Sequence, residues 1–230
     1  MAGPERTRTY NAALSQADPS LNPRLEVSNL ECLRGEHRLF DRLSFELDAG
    51  TLMRIAGANG SGKTSLLRTL CGLLRPTEGL IRWNGQPIVD LGDTYNGALF
   101  YLGHQNALKD DLNAVENLRL GASIQGISLN PQAAIDALTA LGLPRNVARL
   151  PVRLLSQGQK RRAALAALVF RGHAPLWLLD EAFVGLDSQA IQSVVALVEA
   201  HLAHGGIVVY TTHQDIAFAA PRHATTLHLQ

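Results

Sequence analysis

Three short stretches of this 230-residue chain carry side chains at spacings suited to chemistry on a phosphate. The first is Gly57-Ala58-Asn59-Gly60-Ser61-Gly62-Lys63-Thr64, followed by Ser65. Its glycines let successive backbone N–H groups turn inward around an oxyanion, and a helix starting behind them favours negative charge. Lys63 is then placed to reach terminal phosphates, and the Thr64 hydroxyl to ligate Mg²⁺. The second stretch is Asp180-Glu181, two carboxylates closing the apolar run Leu176-Trp177-Leu178-Leu179. One carboxylate can hold Mg²⁺, usually through water, and the next can polarise an attacking water. Asp180 takes the first role and Glu181 the second. The third is Leu155-Ser156-Gln157-Gly158-Gln159, where a hydroxyl and free N–H groups at a helix start offer another anion site, or simply an N-cap. The triplet Lys160-Arg161-Arg162 behind it reads as a solvated helix face.

These groups need elements to position them. Leu52 to Ala56 is apolar enough for a strand, and Ser65 to Leu70 continues as a helix, so the glycine stretch lies between strand and helix. Leu25 to Leu30 and Leu43 to Leu47 alternate as half-buried strands, and Leu80 to Trp83 is a further strand closed by Asn84-Gly85. After a strand at Leu99 to Leu102 the character changes. Ala114 to Leu120, Pro131 to Leu141 and Arg145 to Leu150 form a helical insert over about residues 106–154. A helix from Gly158, a strand at Leu176 to Leu179, a helix from Ser188, and strands at Ile207 to Thr211 and near Leu227 follow. Repeating β/α units predict a largely parallel sheet covered by helices, an α/β fold. One domain is expected over residues 25–230. Residues 1–24, broken by Pro4, Pro19 and Pro23, read as a disordered tail. An arginine-bearing presequence is the alternative there, and Glu5 and Asp18 count against it.

Composition narrows the partners. Hydrophobic residues make up 46% and charged residues 18% of the chain, with net charge +1, so neither nucleic acid nor an anionic membrane surface is expected as the main partner. Cys32 and Cys71 lie far apart and outside any CxxC spacing, which fits a reduced cytosolic protein. His201 and His204 are three apart on an expected helix face and read as a solvated pair rather than a metal site. No apolar run approaches the ~20 residues of a membrane span, and no apolar leader is visible.

The order of the motifs carries a resemblance. A phosphate loop, LSQGQ, an apolar strand ending in Asp180-Glu181, and His213 in Thr211-Thr212-His213-Gln214 resemble the ATPase domains of ABC transporters over about residues 25–230. The resemblance implies a RecA-like P-loop NTPase core with a small antiparallel β subdomain and an inserted helical subdomain. It implies ATP and Mg²⁺ as cofactors, and a head-to-tail homodimer in which Ser156, Gly158 and Gln159 meet the nucleotide held by the other copy. Gln105, in Leu102-Gly103-His104-Gln105-Asn106, matches the Q-loop that senses Mg²⁺ and faces the membrane subunit. His213 matches the switch histidine on the γ-phosphate, and Asp187, in Gly185-Leu186-Asp187, matches the D-loop at the dimer interface. No Asn-Lys-x-Asp guanine motif occurs, which disfavours a GTPase.

Tyr101 to Gln105, Gly62 to Arg68, Gly158 to Arg162 and Thr211 to Gln214 together are similar to the ATP-binding subunits of cytochrome c maturation haem-export systems. That similarity implies a peripheral protein on the cytoplasmic face of the inner membrane, docked on separate integral membrane subunits through the helical insert. The alternatives are the ATPase of another small ABC transporter, or a soluble ABC protein acting on DNA or ribosomes. The last normally needs paired ATPase domains or a long coiled-coil insertion. Two positions depart from the family pattern. Ala182 stands where many relatives carry proline, and Arg34 where many place an aromatic ring on adenine. Arg34 and Phe40 are both candidates for that stacking role.

Overall fold

The computed structural model describes residues 22–35, 37–219 and 221–229. The expected N-terminal tail, with its presequence alternative, lies outside the described residues up to position 21. By contacts the described chain divides into two compact units. One comprises residues 22–104, 174–181 and 199–229, the other residues 105–173 and 182–198.

The first unit holds both sheets. Strands β1 (Arg24–Arg34) and β2 (His37–Asp48) form an antiparallel hairpin, joined on its other side by β4 (Glu78–Trp83) and β5 (Gln86–Pro87) in the order β2-β1-β4-β5. Their side chains alternate between core and solvent, as a one-sided sheet requires. Both leading strands run longer than the alternation predicts. A register shift between Val27 and Leu30, with Asn29 at φ +48°, interrupts the period while the pairing continues.

The second sheet is parallel, in the order β6-β7-β8-β3-β9, built from β3 (Thr51–Ala56), β6 (Leu99–Leu102), β7 (Leu176–Leu179), β8 (Ile207–Thr211) and β9 (His223–His228). All four side chains of β7 and all five of β8 are buried, so these strands read as continuous apolar runs. Helix α1 (Lys63–Leu70) follows β3 and sends Leu66, Leu67 and Leu70 into a core shared with Leu25, Val27, Ile55, Leu178 and Val209. Each such leucine contributes about 1.5–3 kcal/mol on burial. Two short helices, α2 (Ile88–Leu91) and α3 (Asp93–Ala98), were not legible from periodicity because each is under two turns long.

The second unit is helical. It contains α4 (Ala114–Ile124), α5 (Pro131–Ala140), α6 (Arg145–Ala148), 3₁₀ turns at Val152–Leu154 and Ala166–Phe170, and α7 (Gln157–Leu165). Helix α8 (Ser188–Ala203) begins at the residue that the sequence indicates.

Two readings are corrected here. His201 is not solvated: it is 1% exposed, with its ring stacked 3.9 Å from that of Trp177 at 5°. Burial pushes its imidazole down to about 3, so it packs as a neutral aromatic ring. The basic triplet is not a solvated face either. Arg161 is buried and donates to Asn106 Oδ1 at 3.0 Å, and Lys160 Nζ reaches Asp110 at 3.3 Å.

Candidate active site

All five strands of the second sheet are parallel, so their carboxyl ends lie along one edge, where open α/β sheets bind ligands. The phosphate loop leaves β3, Asp180-Glu181 leave β7, Thr212-His213 leave β8 and Gly103-His104 leave β6. The register brings these ends level: Leu102 pairs with Leu179, Leu179 with Tyr210, and Ile55 with Thr211.

In the loop, Lys63 is 7% exposed and its Nζ donates to the carbonyls of Gly57 and Ala58, both at 2.8 Å. The ammonium therefore closes the loop into a ring. Ser61 Oγ is buried inside it without a protein partner. A Cβ at Gly57 would fall 2.4 Å from Ser61 Oγ and 2.7 Å from Leu229 O, so only glycine lets the backbone line this cradle. Helix α1 has no side-chain cap and no acidic residue in its first turn. Its leading N–H groups and dipole are thus left to an anion. The cradle, the orphaned hydroxyl and the bare helix start fit a nucleotide's phosphates. The hard oxygens of Thr64 and Asp180 are the donor type Mg²⁺ takes, with phosphates and water completing its shell. Among the described residues no group of three or more His, Cys, Asp or Glu forms a metal site of its own.

Asp180 is 1% exposed. Its N–H donates to Leu102 O at 2.8 Å, and its Oδ1 accepts from Thr211 Oγ1 at 2.8 Å. Thr211 Oγ1 in turn accepts from Glu181 N–H at 2.8 Å. That second bond holds Glu181 in a left-handed conformation, φ +50°, which costs a non-glycine residue roughly 1–2 kcal/mol. The turn aims the Glu181 side chain at two imidazoles. Oε2 lies 3.2 Å from His104 Nδ1 and Oε1 lies 3.6 Å from His213 Nε2. Ala182, at the family's proline position, is fully buried, as is Phe183 beside it.

In the helical unit, Ser156 caps α7. Its Oγ accepts from Gln159 N–H at 3.2 Å, while Gln159 Oε1 accepts from Ser156 N–H at 2.9 Å. A Cβ at Gly158 would sit 2.7 Å from Gly185 O, so a glycine is required where the D-loop crosses the helix start. Asp187 accepts from Ala190 N–H at 2.9 Å and from Arg162 at 2.6 Å, and these two bonds hold its carboxyl below the usual range. Arg162 also donates to Gly142 O at 2.9 Å. Together these residues line an open depression of about 620 Å³.

The first unit thus gathers Gly57 to Ser65, Asp180, Glu181 and His213. The helical unit holds Gln105, exposed, and groups Ser156, Gly158, Gln159 and Asp187. Arg34 is the exposed last residue of β1, paired with His37 at the hairpin tip, rather than a residue between strands. Phe40 is 6% exposed beneath Gly62, so its ring belongs to the core and has no face to offer a base. Three residues escaped the sequence reading: His104, Thr211 and Arg162. Each sits in a string already singled out, but their partners become visible only in the register of β6, β7 and β8 and in the packing of α7.

Residues 40–184 match the ABC transporter family. The chain is 50% identical over 197 residues to the cytochrome c biogenesis ATP-binding export protein CcmA of Nitrosospira multiformis, covering 86% of this chain and 95% of that protein. It is 48% identical to the protein of the same name from Nitrosomonas europaea, covering 87% and 93%. Among solved structures it resembles a dimeric ATP-binding cassette in a post-hydrolysis state bound to ADP and Pi. There the TM-score is 0.72 and the identity 25%, covering 83% of this chain and 88% of that one.

Proposed function

Since the chain belongs to the ABC transporter family, we propose that it is the ATP-hydrolysing subunit of a transporter complex in cytochrome c biogenesis, energising haem export or haem release to a carrier. The observation that carries the catalytic part is Glu181, locked by Thr211 at the end of β7, level with the phosphate loop. In this reading Lys63 exchanges its two carbonyl partners for the terminal phosphates, and the N–H groups from Gly60 to Ser65 hold the remaining oxygens. Thr64 and Asp180 would hold Mg²⁺, which would draw charge from the phosphate oxygens. Glu181 takes the proton of the attacking water as it meets the γ-phosphorus, and His213 donates to the γ-phosphate oxygens. Ser156, Gly158, Gln159 and Asp187 act on the nucleotide of a second copy, so the ATP-bound form is a homodimer.

Residues 25–230 form one ATPase domain whose insert, about 106–154, docks on integral membrane subunits. The identity near 50% to export proteins of cytochrome c biogenesis supports that setting over other small transporters. Among the described residues no helix is long and apolar enough to cross a membrane. In this reading partner subunits supply the membrane path and the chain sits at its cytoplasmic face. Affinity purification of the tagged chain from solubilised membranes tests this. Integral membrane subunits and a haem-bearing carrier are expected to co-purify. Recovery of ribosomes or nucleic acid instead would overturn the reading.

A further inference from the structure

We infer that His104 is a positioning residue for Glu181, a role that rests on Glu181 being the base. Leu102 and Leu179 are partners at the ends of adjacent parallel strands, tied by the Asp180 N–H bond to Leu102 O at 2.8 Å. Two residues beyond each partner come His104 and Glu181, so the pairing delivers the imidazole and the carboxylate to the same level. Between them Gly103 passes the Tyr101 ring, where a Cβ would lie 3.1 Å from the phenol oxygen. The result is His104 Nδ1 at 3.2 Å from Glu181 Oε2.

Glu181 needs such a partner. Its backbone is fixed by Thr211, but three side-chain torsions separate that backbone from the carboxylate. His213, the imidazole facing Oε1, stands off at 3.6 Å. With a proton on Nδ1, His104 donates to Oε2 and turns Oε1 toward the side of His213. A carboxylate held at one oxygen keeps the other ready for water, whereas a swinging one spends time out of line. His104 itself touches neither phosphate nor water in this role, and its side chain is 68% exposed.

The test is a KM-against-kcat split with conservative rescue. His104→Ala should lower kcat about fivefold, as an exposed polar contact allows, with KM and the dissociation constant for ATP held within about twofold. Asn places an amide N–H where Nδ1 stands, so His104→Asn should recover most of kcat. Gln places its amide at the Nε2 position, so His104→Gln should resemble alanine. In a Glu181→Gln background His104→Ala should lower the residual turnover no further. Wild-type kcat in His104→Ala, a rise in KM matching the loss, or an asparagine variant no better than alanine would overturn the positioning role alone. Wild-type turnover in Glu181→Gln by itself would instead remove the base assignment, and this inference with it.

Discussion

The helix behind the phosphate loop and the helix behind Leu155 both start where an anion is expected, yet their first turns are built in opposite ways. Helix α1 is entered through Gly62 with no side-chain cap, while α7 closes on itself with a Ser156–Gln159 capping box. The other long helices of the second unit side with α7: α4 has an Asn113–Glu116 box and α5 is capped by Asn130. A helix leaves four N–H groups without intrahelical partners, and a chain normally satisfies some with its own side chains. Among the described helices of two turns or more, α1 is the one whose start has no side-chain cap, and Lys63 is buried beside it, so an anion can act as the cap there. At α7 the cap is already made, and the Ser156 hydroxyl can meet a phosphate only by donating its proton while its oxygen stays on Gln159. In the proposed function the first site takes the nucleotide and the second reads it.

The difference between the two helix starts depends most on Lys63. Lys63→Ala should weaken ATP binding about 10–150-fold, the range for a lost charged hydrogen bond of 1.5–3 kcal/mol, and turnover should fall with it. Fluorescent-nucleotide titration measures this, and unchanged affinity would mean that the bare helix start does not hold the phosphates. A smaller effect sharpens the contrast at Ser156. Ser156→Ala should reduce unfolding stability by ~1 kcal/mol in urea, the worth of an N-cap. Ser156→Asp restores the cap but sets a carboxylate against phosphate, so stability should return while ATP-dependent dimers do not. The smallest effect lies outside both helices. Arg34→Ala should weaken ATP and GTP alike by about two- to fivefold, since stacking is worth ~0.5–1 kcal/mol and does not read the purine edge. Equal affinities of variant and parent would leave Arg34 a solvated hairpin residue.

The parts of the site legible in the sequence are those carried by unbroken local patterns. Leu176 to Leu179 and Ile207 to Thr211 are apolar runs cut off by charged or polar residues, and their ends fell where the runs end. The glycine loop announces itself by composition. What escaped depends on partners distant in sequence. His204 is exposed and His201 is buried, although they are three apart, because α8 carries Ala190, Val194 and Val198 on the face that His201 continues. That stripe was readable, but a histidine in it takes its meaning from Trp177, 24 positions away across the sheet. Arg161 likewise is buried and finds a partner in Asn106, 55 residues earlier. His104 gains its meaning only from the pairing of β6 with β7, which sets it against Glu181.

The most direct measurement joins the two helix starts in one experiment: size-exclusion chromatography of Glu181→Gln with and without MgATP. The amide fills the space of the carboxylate without taking water's proton, so turnover should drop by about 10²–10⁴-fold while binding persists. The variant should then run as a dimer in ATP and as a monomer without it, and adding Lys63→Ala or Ser156→Asp should each return it to monomer. A Glu181→Gln chain that hydrolyses ATP at the parent rate, or stays monomeric at saturating ATP, would contradict the account.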